Sequence, residues 1–441
     1  MASNTPDTEM PKGMMARAIW AAENTPAKRN RAVDFYRALA ISFVILGHWF
    51  LVAPVIRNEQ IELTIILAEQ PWTQYLTWLF QVMPVFFFVG GFANALSWGS
   101  ARQDVEKRRT WASGRLSRLL KPTVPLVLLW GLGAFVAARL GVPSEHIVAV
   151  SQAALVPIWF LAVYIVITMV VPVTYWLWDR IGVWSVVAFA LCAVAVDTIA
   201  FGFDQGWLRW INYGFVWLAV HQLGYWWQGA GRPGPVALGL IALGVTWLYV
   251  LIRHFGFPVA MVSVPGAEMS NTRPPTTAML AVGSVQIGVI LLLTAPISAW
   301  LQRTRPWAWV ILLNQMIMTI YLWHMTAMIL VVGLAMLAGG VGLSVEPGTG
   351  PWWSMRPIWL GLFFAALVPL VLIFVRFESG GGGNSNAVPG PWQAIPGAIL
   401  TCGGLIMMAL SGVGANTAFG VNWIALGLVL VGVFLATRRV F

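Results

Sequence analysis

Apolar runs of roughly 20 residues, broken by short polar or Gly/Pro-rich stretches, follow one another from residue 32 almost to the end of the chain. A helical run of that length crosses a hydrocarbon core of about 30 Å at 1.5 Å per residue. Twelve are predicted, near residues 32–53, 72–97, 122–142, 155–176, 183–203, 211–229, 235–253, 277–301, 308–337, 355–375, 394–413 and 421–437. Their apolar positions are continuous rather than alternating, which excludes a membrane β-barrel. The predicted fold class is all-α, a polytopic transmembrane helical bundle of about 12 spans, ten in one unit and two more at the C-terminal end.

Composition agrees: 59% of the 441 residues are hydrophobic and 10% charged, against about 25% charged in soluble domains. A net charge of +10 would suggest nucleic acid in a soluble chain. Here it reads as topology, and no nucleic-acid partner is expected. With the N-terminus in the cytoplasm and the spans alternating, all but six of the 26 Lys and Arg fall on the inner side. The exceptions are Arg57, Arg139, Arg209, Arg253, Arg273 and Arg356. Both termini are therefore expected to be cytoplasmic, in a multi-pass protein of the cell (cytoplasmic) membrane.

Residues 1–31 lack the apolar core and cleavage site of a signal peptide. They read as a mostly disordered cytoplasmic tail with one short amphipathic turn around Met14 to Ala22. Residues 32–375 form the main membrane domain, 376–393 a Gly-rich linker, and 394–441 two extra helices with a short tail. Cys192 and Cys402 lie inside apolar runs and are expected to be core residues, with no disulfide and no metal site.

Against this background the ionisable residues inside spans stand out, because each is costly in a membrane. In "RAVDFYRALAISFVILGHWF", Arg37 and His48 are eleven residues apart. That is close to three helical turns, so they share one face about 16 Å apart along the axis. Asp34 is placed to pair with Arg37. An anion held near Arg37 and a base at His48, whose ordinary pKa lies near neutrality, would line one groove. The loop 100–122 carries seven Lys or Arg, among them Arg115 and Arg118, and serves either as a positive-inside anchor or as an anion site. His221, His324 and Asp197 also fall within spans, where helix-to-helix hydrogen bonding competes with a chemical role. Walker, HExxH, zinc-site and GxSxG patterns are absent.

"DFYRALAISFVILGHW" resembles the first helix of the membrane-bound acyltransferase family 3, whose hallmark is an Arg, ten residues, then His; here these are Arg37 and His48. "MPVFFFVGGFANALSW" is similar to the family's Phe-rich second-helix motif. "GRLSRLLKP" is similar to its Arg-rich motif, carried by Arg115 and Arg118, and "PIWFLAVYIVI" and "IYLWHM" to later signatures. The resemblance covers roughly residues 32–375. The chain departs from it at Gly90-Gly91, where the family often has Ser-Gly, and in the two helices after Gly380. It implies transfer of an acyl group, often acetyl, from a cytoplasmic acyl-CoA co-substrate to a hydroxyl of a cell-envelope glycan or glycolipid. The donor phosphates would lie at Arg37, Arg115 and Arg118, and His48 would act as general base or carry the acyl group itself, the base being favoured. The alternative is a proton-coupled transporter or exporter of a glycan or lipid, which twelve spans with intramembrane His, Arg and Asp would also suit.

Overall fold

A computed structural model describes residues 11, 13–231, 233–378, 389–414, 417 and 419–438. The chain begins with α1 (Met14–Glu23) and α2 (Arg31–Leu51), followed by a hairpin of β1 (Val52–Arg57) and β2 (Gln60–Ile65). Two short helices, α3 (Ile66–Glu69) and α4 (Thr77–Phe80), lead into α5 (Met83–Ala101), α6 (Val105–Leu120) and α7 (Thr123–Arg139). Next come α8 (Ser144–Ala154), α9 (Val156–Met169), α10 (Val171–Ile181), α11 (Trp184–Gly202) and α12 (Asn212–Trp227). The series continues through α13 (Gly234–His254), α14 (Thr277–Trp300), α15 (Thr304–Gln315), α16 (Ile317–Leu337) and α17 (Gly350–Phe374), and ends with α18 (Pro391–Ser411) and α19 (Trp423–Thr437).

Eight helices are long and apolar enough to cross a membrane, ten if the bent pairs α6–α7 and α8–α9 each count as one span. These ten coincide with ten of the twelve predicted stretches. The other two, 211–229 and 421–437, fold as α12 and α19, of 16 and 15 residues. The predicted span 308–337 is divided at Met316 into α15 and α16. There the Glu378 carboxylate accepts from the main-chain N–H groups of Met318 and Thr319 at 3.1 and 2.9 Å and caps a new helix start.

The chain is mostly helical, in keeping with a helical bundle, with one addition to expectation and two corrections. The addition is a hairpin in which β1 and β2 pair antiparallel in register Arg57↔Gln60. Asn58 and Glu59 both take positive φ (51° and 63°), the two-residue turn that matches strand twist. The N-terminal segment carries a ten-residue helix rather than a turn, because Ala18 and Ala22, one turn apart, pack against Leu301, Trp307, Ala308 and Ile311. Cys192 is exposed on α11; only Cys402 is buried, and neither is in a disulfide. Most of the predicted Gly-rich linker lies outside the described residues.

The centre of the bundle is α5, buried along most of its length and packed against α2, α12 and α14. Phe87 stacks on Trp217 (4.7 Å) and Phe88 on Trp227 (5.0 Å). The departure at Gly90-Gly91 has a local cause. A Cβ at 91 would collide with the main-chain carbonyl of His221, and one at 90 would meet the Tyr164 ring at 2.9 Å. Gly224 on α12 returns the contact against the Phe88 carbonyl, so the two backbones approach as only small residues allow.

Candidate active site

Helix α2 starts at Asn30, whose side chain accepts from the Val33 N–H at 3.3 Å, and runs unbroken through Leu51. It therefore carries Arg37 and His48 on one rod, about 16 Å apart. At the first end, Asp34 pairs with Arg29 at 2.8 Å and, as its spacing predicts, with Arg37 at 3.4 Å. Asn314 fixes this turn by donating to the Asp34 carbonyl at 2.9 Å. A cavity of about 450 Å³ opens beside the pair, lined by Trp20, Asn24, Arg29, Asp34, Arg37 and Gln315 among others. Helix α1 forms its wall, held by a 2.7 Å hydrogen bond from Trp307 Nε1 to Thr25 Oγ1. His48 does not line this cavity.

The arginines of α6 face the same end. Arg115 donates to the Ala93 carbonyl at 3.2 Å and to Ser97 Oγ, and its guanidinium lies 5.8 Å from the Trp111 ring. Arg37 and Arg118 are both close enough for their charges to act on it. Arg118 itself is exposed. Three cations from two helices thus meet where α2 begins, and only Asp34 forms an ion pair with any of them among the described residues.

At the other end of α2 the structure joins two sequence candidates. His48 Nδ1 lies 2.8 Å from His324 Nε2, the ring planes within 7° of parallel and the centroids 5.1 Å apart, so the two rings meet edge to edge. His324 Nδ1 in turn lies 2.6 Å from the main-chain carbonyl of Tyr321. A carbonyl oxygen only accepts, so this contact requires the proton on His324 Nδ1. The neutral His324 then offers a lone pair at Nε2, and His48 donates Nδ1–H to it. The remaining lone pair of the dyad sits on His48 Nε2. His324 and Tyr321 are buried, while His48 keeps some accessible surface. Trp49 Nε1 donates to the His324 carbonyl at 3.1 Å, locking α2 against α16.

The other candidates are engaged elsewhere. His221, fully buried, pairs with Asn94 at 3.1 Å across α5 and α12. Asp197 caps α14 through the Thr277 N–H (2.7 Å) and takes a second bond from Asn212 Nδ2 (2.8 Å), which is a structural duty. No group of three or more His, Cys, Asp or Glu able to hold a metal occurs among the described residues. At the His48 end, outside the spans, Arg57 binds Glu62, Glu69 and Glu346 at 3.1, 3.4 and 2.7 Å and holds the Glu346 carboxyl below its usual range.

From sequence alone His324 is one of several polar groups within spans, and Arg356 is a charge near the outer face. The carbonyl that fixes the His324 ring is main chain, one turn back as for any helical residue, so nothing in the local sequence singles this histidine out.

No curated protein and no solved structure matched the chain. A sequence model described as an acyltransferase domain matches residues 30–376, from just before α2 to the end of α17, and so takes in Arg37, Arg115, Arg118, His48 and His324. With more than three quarters of its length in that match, the chain belongs to the membrane acyltransferase family 3.

Proposed function

We propose that this membrane acyltransferase moves an acetyl or other short acyl group from an acyl-CoA to a hydroxyl of a cell-envelope glycan or glycolipid. The observation that carries the reading is the chain Tyr321 carbonyl–His324–His48, which leaves one oriented lone pair on His48 Nε2. The acceptor hydroxyl attacks the thioester carbonyl as His48 Nε2 takes its proton, and the C–O bond forms. The tetrahedral oxyanion then collapses, the C–S bond breaks, and the imidazolium returns the proton to the departing CoA thiolate. His324 holds the ring and its tautomer, as the third member of a triad does.

The phosphates of the donor suit the Arg37, Arg115 and Arg118 cluster, since guanidinium forks bind phosphate oxygens in pairs. A pantetheine arm then spans the distance from the cavity at Arg37 toward His48. In this reading the donor enters from the cytoplasm, the acceptor comes from the other leaflet, and the protein resides in the cytoplasmic membrane.

The test is transfer of labelled acetyl from acetyl-CoA by the purified full-length protein in detergent, with a panel of glycans and glycolipids as acceptors. Transfer well above a His48→Ala control is expected. Equal label in both proteins, across acceptors that the wild type modifies, would refute His48 as base.

A further inference from the structure

Arg356, in the second turn of α17, is 4% exposed. Its Nη2 donates to the main-chain carbonyl of Val52 at 3.1 Å, its guanidinium carbon lies 3.7 Å from the Trp352 ring centroid, and its Nε is buried with no partner. Among the described residues no carboxylate forms an ion pair with it. The acids at this end of the bundle, Glu62, Glu69 and Glu346, are all bound to Arg57.

Tying the end of α17 to α2 needs one hydrogen bond, which a neutral side chain could make. A buried guanidinium with one carbonyl and one ring for company is a costly way to do it, because the cation–π contact replaces only part of the lost hydration. Its place in the fold is informative. Val52 caps α2 by donating its N–H to the His48 carbonyl, and it lies four residues beyond His48, about 6 Å along the axis. The carbonyl that Arg356 holds therefore belongs to the residue one helical turn beyond His48, at the end of α2 opposite Arg37.

The geometry points to Arg356 as an anion-binding residue for the acceptor: the molecule whose hydroxyl reaches His48 carries an oxyanion, phosphate or carboxylate, that completes this guanidinium. The word acceptor rests on the acyl-transfer reading above; the anion site does not. A bidentate oxyanion would supply the missing counter-charge and fix the acceptor relative to His48 Nε2.

Two arms test it on the full-length protein. In the first, Tm is followed during titration with inorganic phosphate, with glucuronic acid, and in nanodiscs with and without phosphatidic acid. These separate a free phosphate, a carboxylate and a lipid headgroup as the source. Wild type is expected to be stabilised by at least one of them. Arg356→Met, which keeps the stem over Trp352, should lose that response while its Tm without ligand stays level or rises. The difference between the two proteins isolates this site from the arginines on α6. A Met variant that unfolds at markedly lower temperature, or that responds to all three anions as wild type does, overturns the proposal. Arg356→Lys keeps the charge without the fork and should respond in part.

In the second arm, acylation of a phosphorylated or uronate-bearing acceptor is compared with its neutral counterpart. Arg356→Met should raise KM for the anionic one about 10–100-fold and leave the neutral one nearly unaffected. Equal losses on both overturn the proposal. Should wild type acylate nothing, the transfer reading fails while the first arm still decides the anion site.

Discussion

Replacing His324 with Ala removes the acceptor of the His48 Nδ1 proton and the ring packed against Trp49, but it keeps the Trp49 hydrogen bond to the main-chain carbonyl of residue 324 that ties α2 to α16. The magnitude follows from the bond lost. A 2.8 Å hydrogen bond between neutral imidazoles contributes about 1–1.5 kcal/mol net, roughly tenfold in rate. Freeing the ring to rotate and to change tautomer adds to this, up to the full value of a general base, roughly 10²–10⁴. His324→Ala is therefore expected to lower kcat about 10–100-fold, and His48→Ala about 10²–10⁴-fold. The double variant should be no worse than His48→Ala, because an orienting group has nothing to orient once the base is gone. His324→Gln places an amide oxygen where it can accept Nδ1–H and should recover several-fold over Ala. The assay is the initial rate of labelled acyl transfer at saturating acceptor, with Tm measured on each variant. If the two single effects multiply in the double variant, or if Gln and Ala are equally impaired in folded protein, the relay through His324 is wrong.

Arg118→Gln should raise KM for acyl-CoA about tenfold or less, as befits an exposed charge; Arg115→Gln should raise it more and also lower Tm, since it unties Ala93 and Ser97, both read from donor titrations and melting curves. Gly91→Val should prevent folding by driving α5 from the His221 carbonyl, seen as loss of monodisperse protein in detergent. Asp197→Asn should lower Tm by several degrees, because a buried helix cap loses its charge-assisted bond to the Thr277 N–H. The Glu346 carboxyl is depressed below its ordinary 4.5 by Arg57, so its stabilising contribution is present above that value and is lost as pH falls through the lower folded value. Measured against the intrinsic exchange rate at each pH, the protection of β1 and β2 amides should fall on acidification through that range, and Glu346→Gln should remove this pH dependence.

Much of this fold is legible from apolar run length alone, because each span buries its own backbone bonds and needs no partner to declare itself. What was hidden depends on residues far apart in sequence. The break at Met316 has no proline or glycine beside it; it exists because Glu378, 60 residues later, caps the N–H groups of Met318 and Thr319. The breaks between α6 and α7 and between α8 and α9 are different, each flanked by a proline, Pro122 and Pro157. At the site, Arg37 and His48 share one helix, so their register was readable; His48 and His324 are 276 residues apart, so their meeting was not. Arg356 looked like a topological charge because a sequence shows that a cation is present but not that its counter-ion is missing.

The helices beyond the family match pack at the end of the bundle that carries Arg115 and Arg118. Helix α18 packs on α6 and α9, and α19 on α6 and α7. Gly397, Gly404 and Gly432 let α18 and α19 close on one another, each glycine facing backbone of the opposite helix. Ser113 on α6 donates to the Pro389 carbonyl at 2.6 Å, and Leu116 and Leu120 are fully buried on the same helix. A broken span that exposes Arg118 at one face and is bent by 41° where it meets α7 has little of its own to hold its angle. The C-terminal pair supplies the surface that the back of α6 rests against. Helices α18 and α19 thus pack against the same helix that carries Arg115 and Arg118, so the C-terminal pair and the matched domain are joined through α6.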